Sequence, residues 1–129
     1  MKLGFVEEWG ELKRFKELSD QERSIVFYAE NKASMNHFKK LIKELTETMN
    51  LNICYVTSDR NDPILDKMES KINVFYFKKL LMFFMVYVDC KVFVITVTDL
   101  NRFHLKRSIN QVHYVYVFHS LISTHMGYL

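Results

Sequence analysis

Glycine and proline are scarce in this chain: three glycines, at positions 4, 10 and 127, and one proline, Pro63, in 129 residues. A dinucleotide site of the usual kind needs Gly-x-Gly-x-x-Gly after a strand, because only glycine lets the backbone approach a pyrophosphate. Here the first apolar run is followed by Glu30-Asn31-Lys32, which excludes that site and a P-loop as well. Cysteine is equally sparse. Cys54 and Cys90 make neither a disulfide framework nor a metal-ligand spacing, so reduced thiols in a cytoplasmic protein are expected. No apolar segment is long enough for a membrane span. The longest, residues 80–88, is about half of the roughly 20 residues required. The N-terminus has Glu7, Glu8 and Glu11 where a signal peptide needs an apolar stretch. Charge of one sign is also lacking: 18 basic minus 15 acidic residues leave +3, too mild to argue for nucleic acid. Nor are there clustered acids. A phosphorylation receiver needs several after its first strand and an aspartate ending its third, whereas Glu30 stands alone and the third apolar run ends Phe77-Lys78-Lys79.

What is present is ordinary globular material, 49% apolar and 26% charged, enough for one domain with a core. Phe5, Trp9, Leu12, Phe15 and Leu18 recur at helical spacing and predict an amphipathic helix. Residues 19–22, Ser-Asp-Gln-Glu, read as a capping box. Five short apolar runs follow: 25–28, 53–57, 72–77, 92–97 and 113–118. Between them, residues 36–49 carry Phe38, Leu41, Ile42, Leu45 and Met49 on one helical face, with Lys39, Lys40, Lys43, Glu44 and Glu47 on the other. Asn50 suits the left-handed turn that ends such a helix. Residues 58–63, Ser-Asp-Arg-Asn-Asp-Pro, are turn formers. Residues 78–88 predict a helix so apolar that most of its circumference must be covered.

Strands that are continuous apolar runs, alternating with helices, are the pattern of a parallel sheet covered on both faces. The expected fold is therefore α/β, a Rossmann-like three-layer α/β/α sandwich with a mostly parallel sheet of about five strands. Residues 1–23 form an N-terminal helical segment and residues 24–129 the Rossmann-like domain. No covering helix follows the fifth strand, so the domain is expected to be truncated.

The chemistry is expected where the fifth strand ends. Along residues 113–119, Val115, Val117 and His119 fall on one face and Tyr114, Tyr116 and Phe118 on the other. Ligands of open α/β sheets bind at the carboxyl ends of the strands, and His119 stands there with a side chain whose pKa suits a general base. Ser120, Ser123, Thr124 and His125 follow it, and Lys106 and Arg107 precede the strand as candidate phosphate-binding groups. His113, His119 and His125 are spaced by six and no carboxylate accompanies them, so no metal site is expected.

Several segments together resemble the CDP-glycerol glycerophosphotransferase family, enzymes related to teichoic-acid primases and polymerases. The longest is residues 112–126, Val-His-Tyr-Val-Tyr-Val-Phe-His-Ser-Leu-Ile-Ser-Thr-His-Met. Residues 22–30, 55–63, 98–100 and 103–108 support it. The resemblance implies the N-terminal, acceptor-side half of a two-domain GT-B transferase, with CDP-glycerol as donor held mainly by an absent second domain. It implies a polyol-phosphate or lipid-linked acceptor, no cofactor and no nucleic acid. It also implies a cytoplasmic location with peripheral contact at the inner face of the plasma membrane. His119 takes the place of the family's proposed base, with Ser120, Ser123, Thr124, His125, Lys106 and Arg107 as substrate-binding candidates. Many relatives have His-Gly-Thr there; this chain has His119-Ser120, with Ser123, Thr124 and His125 beyond. Alone, the domain is expected to turn over little, since orientation and electrostatics supply most of such a rate. The other expectation is a non-catalytic truncated module that binds a partner or an acceptor lipid.

Overall fold

Each apolar run becomes a strand in the computed structural model, which describes residues 5–96 and 108–117. The strands are β1 (Ile25–Ala29), β2 (Ile53–Thr57), β3 (Ile72–Tyr76), β4 (Val92–Thr96) and β5 (His113–Val117). They form one sheet in the order β3-β2-β1-β4-β5, and every pairing is parallel. The Rossmann-like α/β expectation is met. Among the described residues three α-helices accompany the sheet: α1 (Phe5–Lys16), α2 (Met35–Lys43) and α3 (Leu81–Tyr87).

Alternation along the strands sends side chains to two separate cores. On one face Val26, Tyr28, Cys54, Val56, Phe75, Phe93 and Ile95 meet Leu12 and Phe15 of α1 and Leu81, Phe84 and Met85 of α3. On the other Phe27, Ile53, Tyr55 and Val94 meet Phe38 and Ile42 of α2. Helices thus lie on both faces, giving three layers. The connection from β3 to β4 returns over the face opposite α2, as right-handed crossovers require, and the strand order reverses between β1 and β4. Aromatic pairs at edge-on angles lock both cores, Phe27 on Phe38 at 5.2 Å and Phe15 on Phe84 at 5.1 Å; such pairs add about 1 kcal/mol beyond burial.

Local expectations mostly hold. Ser19 and Glu22 form the reciprocal capping box, Ser19 N–H donating to Glu22 Oε1 at 2.9 Å and Glu22 N–H to Ser19 Oγ at 3.2 Å. Asn50 takes φ 57°, in the left-handed region. The helix expected over residues 36–49 is α2 followed by a π-helical turn, Glu44–Thr48.

Four expectations need correction. Trp9 is not in the core stripe but 50% exposed, because Glu8 takes the inward position beside Leu12 and Phe15. The helix expected over residues 78–88 is shorter, Leu81–Tyr87, because the backbone N–H groups of Lys78, Lys79 and Leu80 turn to the Glu8 carboxylate instead. Its circumference is not mostly covered: Met82, Phe83 and Tyr87 are exposed. Finally β5 is not a buried strand. Among the described residues it pairs only with β4, and His113 is exposed while residues 114–117 are half-buried. The expected faces nonetheless hold among its described residues, Tyr114 and Tyr116 packing toward α1 and α3 and Val115 and Val117 toward α2.

Candidate functional site

Five parallel strands end on one edge, and the switch between β1 and β4 makes that edge the expected place for a ligand. The described part of the edge is a polar rim built by the loops after β1, β2 and β3. Its residues are buried where they leave the strands: Thr57 and Thr96 are 0% and 2% exposed.

The loop after β2 is organised by two aspartates. Asp62, 2% exposed, accepts the Thr57 hydroxyl at 2.9 Å on one oxygen and the Ile64 N–H at 3.1 Å on the other. Aspartate immediately before proline favours this cap, since Pro63 has no N–H of its own to satisfy. Asp59 bridges two loops. It accepts Asn61 N–H at 2.9 Å within its own turn and Lys32 N–H at 2.9 Å from the loop after β1. Those two backbone donors hold the Asp59 carboxyl below its ordinary range, with the charges of Lys32 and Lys78 acting in the same direction. Asp59 is therefore an ionised anchor and a weak proton acceptor at neutral pH.

A second chain of bonds ties β1 to the end of β3. The Tyr28 hydroxyl donates to Ser58 Oγ at 3.0 Å, and Ser58 Oγ donates to the Phe77 carbonyl at 2.5 Å. The Arg60 guanidinium lies 5.6 Å from the Tyr76 ring centre. Burial and the Glu8 charge raise the Tyr76 phenol above its ordinary pKa. At the outer end of the rim Glu8, 1% exposed, accepts Lys78, Lys79 and Leu80 N–H at 2.9, 3.2 and 2.9 Å. The rim is thus a rigid frame with exposed cations, Lys32, Arg60, Lys78 and Lys79, around acidic groups already engaged by backbone. Such a frame can hold an anionic substrate in place. Among the described residues no three His, Cys, Asp or Glu side chains gather as a metal site.

The residues singled out from sequence, His119, Ser120, Ser123, Thr124, His125, Lys106 and Arg107, all lie outside the described residues. The strand leading to them is described: Val117 is level with Thr96 of β4. His113 opens β5 level with Val92, four residues before Val117, which puts it about 13 Å from the carboxyl edge.

The roles of Asp59, Asp62, Ser58 and Glu8 were not anticipated. For Asp62 the Asp-Pro pair was the signal. For Glu8 it was position: residues 8, 12 and 15 share one helical stripe, so a glutamate there is directed into the core. Comparison of the chain with protein-family models, curated proteins and solved structures finds no match.

Proposed function

We propose that this chain is the acceptor-side domain of a CDP-glycerol glycerophosphotransferase-like enzyme. The reaction transfers glycerol phosphate from CDP-glycerol to an acceptor hydroxyl during synthesis of a teichoic-acid or capsular polymer. One observation carries the reading. The segment that most resembles the family, residues 112–126, contains β5, whose carboxyl end belongs to the edge where an open α/β sheet receives ligands. In this reading His119 removes the proton of the acceptor hydroxyl, which attacks the β-phosphorus of CDP-glycerol; the bond to the bridging oxygen breaks and CMP leaves. Lys106, Arg107, Ser120, Ser123, Thr124 and His125 receive phosphate and hydroxyl groups. The donor is held by a second domain, so the isolated chain turns over little. The test is CMP release from CDP-glycerol by the chain alone and by a version joined to a donor-binding domain. Turnover by the two-domain version and its collapse in His119→Ala support the reading. Unchanged turnover in His119→Ala removes the base, and no turnover by the two-domain version removes the function.

A second reading rests on the exposed aromatic surface of α1 and α3. Trp9 and Phe83 pack edge-on at 5.5 Å, Phe83 and Tyr87 lie 4.8 Å apart, and Lys13 and Lys16 flank them on a shallow pocket with Trp9. Exposed aromatics beside lysines suit the headgroup level of an anionic bilayer. In this reading the module binds a membrane or acceptor lipid without catalysis. No described helix is long and apolar enough to cross a membrane. Flotation with anionic vesicles, repeated with Trp9→Ala and Phe83→Ala, tests it; a chain that stays at the bottom of the gradient removes it.

A further inference from the structure

The connection between β2 and β3 leaves the sheet short of cover on one face. In a doubly wound sheet each crossover normally supplies a helix. Here it supplies only the four-residue 3₁₀ turn Pro63–Asp66. Ile72 and Val74 of β3 consequently remain half-buried on that face. Between α2 and the turn runs a groove of about 480 Å³.

The groove has an apolar floor and a basic rim. Ile42, Ile64 and Ile72 lie along it. Lys39 and Lys43 stand one turn apart on α2, Lys32 precedes that helix, and Lys67 comes from the β2–β3 connection; all four are exposed. The acids on the groove are Glu47, Glu69 and Asp62. Asp62 is buried and committed to Thr57 and Ile64, so among the described residues the exposed charged groups of the groove are four lysines and two glutamates. This surface is separate from the exposed aromatics of α1 and α3, which belong to the opposite face of the sheet.

We propose that this groove docks an acidic amphipathic helix from a partner protein, in the place a crossover helix would occupy. A helix presents one apolar stripe to a concave apolar floor, and carboxylates beside that stripe reach the Lys39–Lys43 wall and Lys67 across from it. Ile42 and Ile64 are each only 5% exposed and form the bottom of the groove, while the half-buried Ile72 is its accessible apolar surface, a concave shape that a helix fits better than a flat bilayer does. A nucleic acid backbone would satisfy the lysines and leave the isoleucines facing phosphates.

The probe is a fluorescein-labelled synthetic peptide of about four helical turns, leucines on one face and glutamates flanking them. Its counterpart has lysine for each glutamate. Anisotropy should show the acidic peptide binding and the basic one not. The Lys39→Glu/Lys43→Glu pair, and separately Lys67→Glu, should weaken binding by about tenfold or more. Lys40→Glu, also exposed on α2 but outside the groove, should leave it unchanged. Hydrogen exchange with the peptide bound should show protection over α2 and residues 63–72. Failure of the acidic peptide to bind overturns the proposal, as does equal binding of both peptides. Protection over α1 and α3 overturns it in favour of the aromatic surface. Anionic vesicles that bind the native chain and not the Lys39→Glu/Lys43→Glu pair, with no peptide bound, overturn it in favour of a lipid surface.

Discussion

Glu8 and Leu80 are 72 residues apart, yet the carboxylate of one accepts the backbone N–H of the other at 2.9 Å, with Glu8 almost wholly buried. The bond belongs to a series. Lys78 N–H donates to Glu8, Tyr76 N–H to Glu11 at 3.3 Å, and Arg14 to the Val74 carbonyl at 2.5 Å. Residues 74 and 76 present outward-facing backbone groups of β3, the edge strand among the described residues, and Lys78 lies just beyond it. Helical positions 8, 11 and 14, antiparallel to the strand, satisfy them in turn. α1 thus covers an edge that would otherwise invite pairing with another chain.

Removing the Glu8 carboxylate leaves the buried Leu80 N–H and the half-buried N–H groups of Lys78 and Lys79 without an acceptor. Glu8→Ala should lower unfolding free energy by about 3 kcal/mol, and Glu8→Gln by less, because its amide keeps one acceptor oxygen. Urea denaturation followed by circular dichroism measures both. A loss under about 0.5 kcal/mol for Glu8→Ala would show that the carboxylate does not hold the turn.

Thr57 and Asp62 form a fully buried pair. Thr57→Val keeps the shape and removes the hydroxyl, leaving one Asp62 oxygen without its donor at a cost of about 2 kcal/mol. Ser58→Ala, at the half-buried neighbouring site, should cost about half as much. Thermal unfolding of the two variants ranks them; the reverse order would contradict the buried pairing.

Both thiols should be inert in the folded protein. Burial pushes Cys54 and Cys90 up from the ordinary 9.0 to about 12, and a protonated, enclosed thiol is a poor nucleophile. A chromogenic disulfide reagent at pH 8 should titrate neither until denaturant is added, and both afterwards. The sign of the pH effect follows. The unfolded thiols ionise near 9 and the folded ones near 12, so stability from this source is complete below pH 9 and is lost as pH rises toward 12.

Asn50 holds φ 57° after the π-helical turn. Asn50→Ala puts a methyl in the left-handed region and should cost about 1 kcal/mol, while Asn50→Gly should change stability by less than about 0.5 kcal/mol. Equal effects of the two variants would locate the strain elsewhere.

The strands were legible to within a residue because each is an apolar run bounded by polar turn formers, and a parallel sheet buried on both faces needs such runs. The capping box and Asn50 were legible because both depend on neighbours within a few positions. Strand order was not legible from the runs, and what depends on it was misjudged. β5 has the composition of a central strand and is the last of the described strands in the sheet order. Thr57, Ser58 and Asp59 could be read as turn residues, but their partners Tyr28, Lys32 and Phe77 are set by which strands are adjacent. Glu8 shares a helical stripe with Leu12 and Phe15, which marks it as inward-facing, but its backbone partners at residues 78–80 follow only from the position of β3 beside α1. His119 and its neighbours were singled out by their place after the fifth strand and then by resemblance, and the described strand brings the chain as far as Val117.

The edge cover also sets an order of events. Every bond that pins α1 to β3 spans 60 to 72 residues, so none can form until the third strand and the turn beyond it exist. Loops of that length close slowly compared with the local contacts that make a helix. The first helix is therefore fastened only after the third strand is in place. Until residue 80 is available, the Glu8 carboxylate lacks its backbone partners and β3 keeps one open side.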